Sequence, residues 1–192
     1  MGVIYKNVNY DYCAMLIISI LIITTILRRM IKGKVNRSFL EVLVVAWLTI
    51  LFDIWAVHLD NLGVQQVFTK YVAHMGYLVL HSLEMPFYIT YLVAITDTWH
   101  LFKEKRLLAF LSLFPVLVIT GLILTSPATK WIFYINAQYE YTRGKYFTLL
   151  YVCAVIYLIY GLTYLWIHRK MFRRRYFVSL GLFFAAEIAG IV

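Results

Sequence analysis

Lys70-YVAHMGYLVLHSLEMPFYITYLVAI-Thr96 is the stretch from which the fold is read. Its polar and aromatic residues are Lys70, His74, Tyr77, His81, Glu84, Tyr88 and Tyr91, spaced alternately by four and three. On a helix that spacing makes one stripe, and the remaining surface is apolar. Residues 71–96 are long enough to cross a bilayer, which takes about 20 residues. Glu84 falls near the middle. An ionisable group at that depth costs on the order of 3 kcal/mol or more, so the stripe is expected to face other helices or a wet cavity. Pro86 removes the backbone bond to Ser82 and predicts a kink there. The stretch reads as the central helix of a membrane bundle with a polar seam.

Composition agrees. The chain of 192 residues is 63% hydrophobic, against 45–50% in ordinary soluble domains. Charge is sparse and confined to the breaks between apolar runs, which predict spans at about 12–27, 39–59, 71–96, 107–125, 146–167 and 176–192. The fold class expected is an all-α polytopic membrane protein, a bundle of about six transmembrane helices with a small extracellular β-hairpin. Residues 1–192 are expected to form one transmembrane domain with no soluble catalytic domain. The first run follows a nearly neutral start and precedes Arg28, Arg29 and Lys32, the reverse of a secretory signal, so it reads as a retained span. Ser38 with Glu41 three residues on predicts a capping box opening the second span.

The net charge of +9 is explained by topology rather than by nucleic acid, because 13 of the 18 Lys and Arg lie in loops one, three and five. The positive-inside rule places those loops in the cytoplasm and the N-terminus outside. Cys13 and Cys153 lie in or beside apolar runs without metal-ligand spacing, so neither a disulfide framework nor a zinc site is expected.

Between the fourth and fifth spans, Trp131-Ile-Phe-Tyr-Ile135 and Tyr139-Glu-Tyr-Thr-Arg143 flank Asn136-Ala137-Gln138. Two β-prone runs around a turn segment predict a hairpin, an extracellular lid carrying Trp131, Tyr134, Tyr141 and Arg143. The competing reading is an aromatic belt at the membrane interface.

Candidate sensing residues are Glu84, His81, Asp53, Tyr77, Tyr88 and His74. Glu84 and His81 stand three apart on one face, so their side chains can meet as a proton-sensitive or ligand-binding couple. The plainer account is an interhelical hydrogen bond. Asp53 lies near the middle of its span and is expected to face the same seam, paired with His81 or a tyrosine, or to be a structural hydrogen bond. Glu187 is similar. His74 is two turns from His81, about 10.5 Å by helix rise, too far to share one metal ion on a straight helix. Tyr77, Tyr88, Tyr91, Tyr157, Tyr160 and Tyr164 either line a pocket for an aromatic or cationic ligand or simply pack between helices. Arg173, Arg174 and Arg175 either bind anionic lipid heads or only set topology.

No nucleophile elbow, zinc-protease motif, phosphate loop or dinucleotide fingerprint is present, and the cytoplasmic loops are short, so no enzymatic activity and no cofactor are expected of these residues. Asn36-Arg37-Ser38-Phe39, Phe52-Asp53, Met85-Pro86-Phe87, Trp131–Ile135 and Tyr141-Thr-Arg-Gly144 together resemble the N-terminal multi-span sensory module that precedes GGDEF diguanylate cyclase domains in Clostridia-like bacteria. The resemblance implies seven spans in a bacterial cell membrane, an outside N-terminus, an unidentified small ligand, and a cytoplasmic output domain through which the parent forms a homodimer. Here the seventh span and the GGDEF domain are missing, as in a fragment or a truncated gene. Similar modules precede histidine kinases. The alternatives are a small proton-coupled transporter, to which intramembrane carboxylates point, and a purely structural membrane subunit.

Overall fold

The computed structural model describes residues 8–27, 33–99, 106–172 and 180. They form five helices: α1 (Asn9–Leu27), α2 (Lys34–Asn61), α3 (Val67–Thr96), α4 (Arg106–Thr129) and α5 (Thr148–Ile167). Two short strands, β1 (Phe133–Ile135) and β2 (Tyr141–Arg143), lie between α4 and α5. All five helices are long and apolar enough to cross a membrane. The sixth expected span lies outside the described residues except for Leu180, and so do Arg173, Arg174, Arg175 and Glu187.

Several helices outrun their expected limits. α2 opens at Lys34 behind Gly33, which makes no side-chain cap, so the capping box does not form. Ser38 is buried inside the helix. Glu41 instead accepts from Arg37 at 3.1 Å, an opposite-charge pair one turn apart that favours the extra helical turn. α4 continues through Pro127 to Thr129 instead of stopping at Ser126-Pro127. Pro127 sits in the last turn, where its missing N–H removes only one ladder bond. Lys130 N–H then donates to the Ser126 carbonyl at 2.8 Å and closes the end. α3 also runs unbroken past Pro86.

α3 is the centre of the bundle. It packs on α2, α4, α5 and β1, whereas α1 packs chiefly on α2. In its most apolar window 44% of residues are buried, against 6% in α1. The α2–α3 interface is the largest between helices, and Gly76 makes it possible. A Cβ at Gly76 would overlap the edge of the Phe52 ring, so the two helices approach through the missing side chain.

The hairpin is antiparallel with Tyr134 opposite Thr142. Asn136 Oδ1 accepts from the N–H groups of Gln138 and Glu140, both at 2.9 Å, and shapes the turn. Ile132 and Phe133 are fully buried and join Leu92 and Ile123 in the core, so the root of the hairpin is part of the bundle. At the opposite end, Asp97 caps α3 in the left-handed conformation. There the hydroxyls of Thr96 and Thr98 both bond the Tyr164 hydroxyl, tying α3 to α5. Exposed apolar side chains such as Ile20 of α1, Leu117 of α4 and Ile159 of α5 cover the flanks.

Candidate functional site

A cavity of about 510 Å³ lies under the hairpin, walled by α2, α3 and α5 and roofed by β2. That volume is within the roughly 300–1,000 Å³ of small-molecule sites. Asp53 of α2 lines it together with His74, Tyr77, His81 and Glu84 of α3. Tyr141 and Arg143 line it from the hairpin, and Tyr151 and Tyr157 from α5. Five of the six sensing candidates therefore share one chamber.

The order along α3 follows from helix geometry. His74, Tyr77, His81 and Glu84 recur at helical spacing and form one edge of the cavity. His81 Nδ1 and Glu84 Oε2 are 3.5 Å apart. The His81 ring stacks on Tyr77 at 5.8 Å with the planes 8° from parallel. His81 is half-exposed and Glu84 is partly buried.

Tyr88 is the candidate that lies elsewhere. Its hydroxyl donates to the Leu180 carbonyl at 3.1 Å, and Tyr91 packs on Phe39 at 5.5 Å. A stripe spaced by threes and fours averages 3.5 residues per turn and drifts about 20° per heptad around a 3.6-residue helix. Three heptads separate Lys70 from Tyr91, so the lower end of the stripe turns toward a different neighbour. Tyr164 also departs from the cavity, into the hydroxyl cluster with Thr96 and Thr98. Pro86 lines a second, smaller cavity of about 170 Å³ with Ile89, Trp99 and Ser112. Tyr157 lines both cavities and donates to the Ser112 carbonyl at 2.7 Å.

The hairpin residues divide in two. Tyr141 packs against His74 at 4.5 Å with the rings tilted by 31° and stacks on Phe133 at 5.5 Å, and burial raises its hydroxyl pKa above the ordinary tyrosine value. Arg143 holds its guanidinium 4.6 Å from the Phe147 ring. Trp131, in contrast, is 45% exposed and meets Tyr146 edge-on. Tyr134 lies beside the Lys130 ammonium at 5.8 Å. Tyr141 and Arg143 thus roof the cavity, while Trp131 and Tyr134 lie outside its lining.

On the hairpin side of the cavity stands a buried ionic cluster that the sequence did not disclose. Lys70, 1% exposed, donates to Asp60 Oδ1 at 3.2 Å and to the Tyr139 carbonyl at 2.6 Å. His74 Nε2 is 3.5 Å from the same Asp60 oxygen. In the sequence, Asp60 reads as part of a turn with Asn61 and Gly63. The signal available was its separation of ten residues from Lys70 across that turn, which returns the chain antiparallel and brings the two together.

No known protein family matches the chain, and no curated protein or solved structure shows significant similarity to it. The likeness to bacterial sensory modules therefore rests on the sequence pattern alone.

Proposed function

We propose that the chain is the membrane-embedded input module of a bacterial signalling protein, of the kind that precedes a GGDEF diguanylate cyclase domain. In this reading about six helices cross the cell membrane, the N-terminus is outside, and the hairpin is extracellular. The apolar flanks support membrane insertion, and the loop charges support the orientation. The observation that carries the reading is the cavity under the hairpin, where Asp53, His81 and Glu84 converge with aromatic rings. Grouping ionisable residues inside a membrane bundle is costly and marks function. A ligand bound there would press on α3 on the hairpin side of Pro86. The far end of α3 is tied to α5 through Tyr164, so a shift of one helix is passed to the other.

The test is response in the full-length protein. Glu84→Gln with His81→Leu is expected to abolish ligand-dependent output while leaving membrane insertion intact. Unchanged output would overturn the reading.

A second reading, a small proton-coupled transporter, is favoured by one observation: two cavities lie on either side of Tyr157. Net solute flux in proteoliposomes that collapses with the proton gradient would establish it.

A further inference from the structure

We infer that the cavity under the hairpin takes a small organic cation, a protonated amine carrying an aromatic or apolar body. This rests on the reading of the cavity as a ligand site and names the ligand class.

Two carboxylates on different helices, Asp53 and Glu84, line the same chamber. Among the described residues no lysine lines it. Lys70, on the hairpin side, spends its ammonium on Asp60 and the Tyr139 carbonyl. The one guanidinium among the described lining residues, that of Arg143, lies against the Phe147 ring at 4.6 Å. His81 faces Glu84 at 3.5 Å and offsets part of its charge when protonated, but Asp53 adds a second carboxylate to the wall. His74, the other imidazole of the lining, is directed to Asp60.

Tyr77, Tyr141, Tyr151 and Tyr157 add aromatic faces to the wall, beside apolar side chains such as Val57, Leu78 and Leu150. Ring faces are negative and attract ammonium groups. They also supply apolar area for the body of the ligand. Carboxylates and ring faces therefore act in the same direction, toward a cation, and both oppose an anion.

The experiment uses the whole chain, purified in lipid nanodiscs, and three probes of nearly equal shape: phenethylammonium, phenylacetate and 2-phenylethanol. Equilibrium binding is followed by calorimetry and by the shift in melting temperature. Phenethylammonium is expected to bind at least about tenfold more tightly than phenylacetate. Asp53→Asn and Glu84→Gln should each weaken it about tenfold and leave the weak binding of 2-phenylethanol unchanged, which controls for folding and for partition into lipid. Tyr151→Phe should keep phenethylammonium binding and Tyr151→Leu should reduce it.

Phenylacetate binding as tightly as the amine would overturn the inference, and the cavity would remain a ligand site of another class. Amine binding untouched by both carboxylate variants would overturn it as well, as would the absence of amine binding to a chain that retains its native melting transition. The underlying reading falls separately: Ala154→Trp fills the cavity, and an unaltered response in the full-length protein would show that nothing is sensed there.

Discussion

The ammonium of Lys70 donates to the backbone carbonyl of Tyr139 at 2.6 Å, a bond between residues 69 apart that fastens the hairpin turn to the first turn of α3. The same ammonium reaches Asp60 at the end of α2, so one buried side chain joins two helices and the hairpin. Lys70→Met leaves the Asp60 carboxylate with its charge poorly compensated and the Tyr139 carbonyl without this donor. The expected cost is about 3–5 kcal/mol, that of breaking a buried ion pair. Denaturation in detergent measures it, and limited proteolysis within residues 136–140 should become faster. Arg37→Ala removes an exposed pair and should change stability by less than about 1 kcal/mol.

Tyr139 itself has φ +61°, a left-handed conformation that disfavours a side chain. It is 38% exposed, so most of its surface is packed. Tyr139→Gly relieves the backbone but gives up that packing and frees the unfolded chain, so the opposing effects are expected to leave stability within about 1 kcal/mol of the parent. Asn136→Ala is expected to destabilise the hairpin by about 1 kcal/mol, because two turn N–H groups lose their acceptor. Melting temperatures of the two variants, measured side by side, check both magnitudes.

Gly76→Ala places a methyl group where the Phe52 ring lies. Separating α2 from α3 to admit it is expected to cost about 1–3 kcal/mol. Phe52→Leu in the same chain should restore part of the loss. A double-mutant cycle showing simple additivity would mean that the two residues do not meet.

Tyr164→Phe removes the hydroxyl shared by Thr96 and Thr98. Thr96 also donates to the Leu92 carbonyl of its own helix, at 3.1 Å, so the loss is modest, about 1 kcal/mol. The sharper effect is expected in coupling. Spin labels at the ends of α3 and α5 away from the hairpin should show a broader distance distribution in the variant.

The elements were legible in the sequence because they are set locally. Length and apolar content mark Tyr12–Leu27 and Tyr71–Thr96 as helices whatever they touch, and two β-prone runs around Asn136 mark a hairpin. Helical spacing put His74, Tyr77, His81 and Glu84 on one face, and the structure keeps them on one cavity edge. Periodicity does not state which neighbour a face meets. Lys70 reads as the top of the stripe, yet it is a tie to Asp60 and Tyr139, decided by the turn after α2 and by how the hairpin folds back. Tyr88 and Tyr164 read either as pocket lining or as packing between helices, and their hydroxyl bonds make them ties, because the drift of the stripe and the closeness allowed by Gly76 fix the rotation of α3 against its neighbours. The sequence by itself determined the helices, their apolar surfaces and the polar face of α3, since these depend on residues a few positions apart. Only the tertiary structure decided the partners of Lys70, Asp60, Tyr88 and Tyr164, since each depends on contacts between segments distant in the chain.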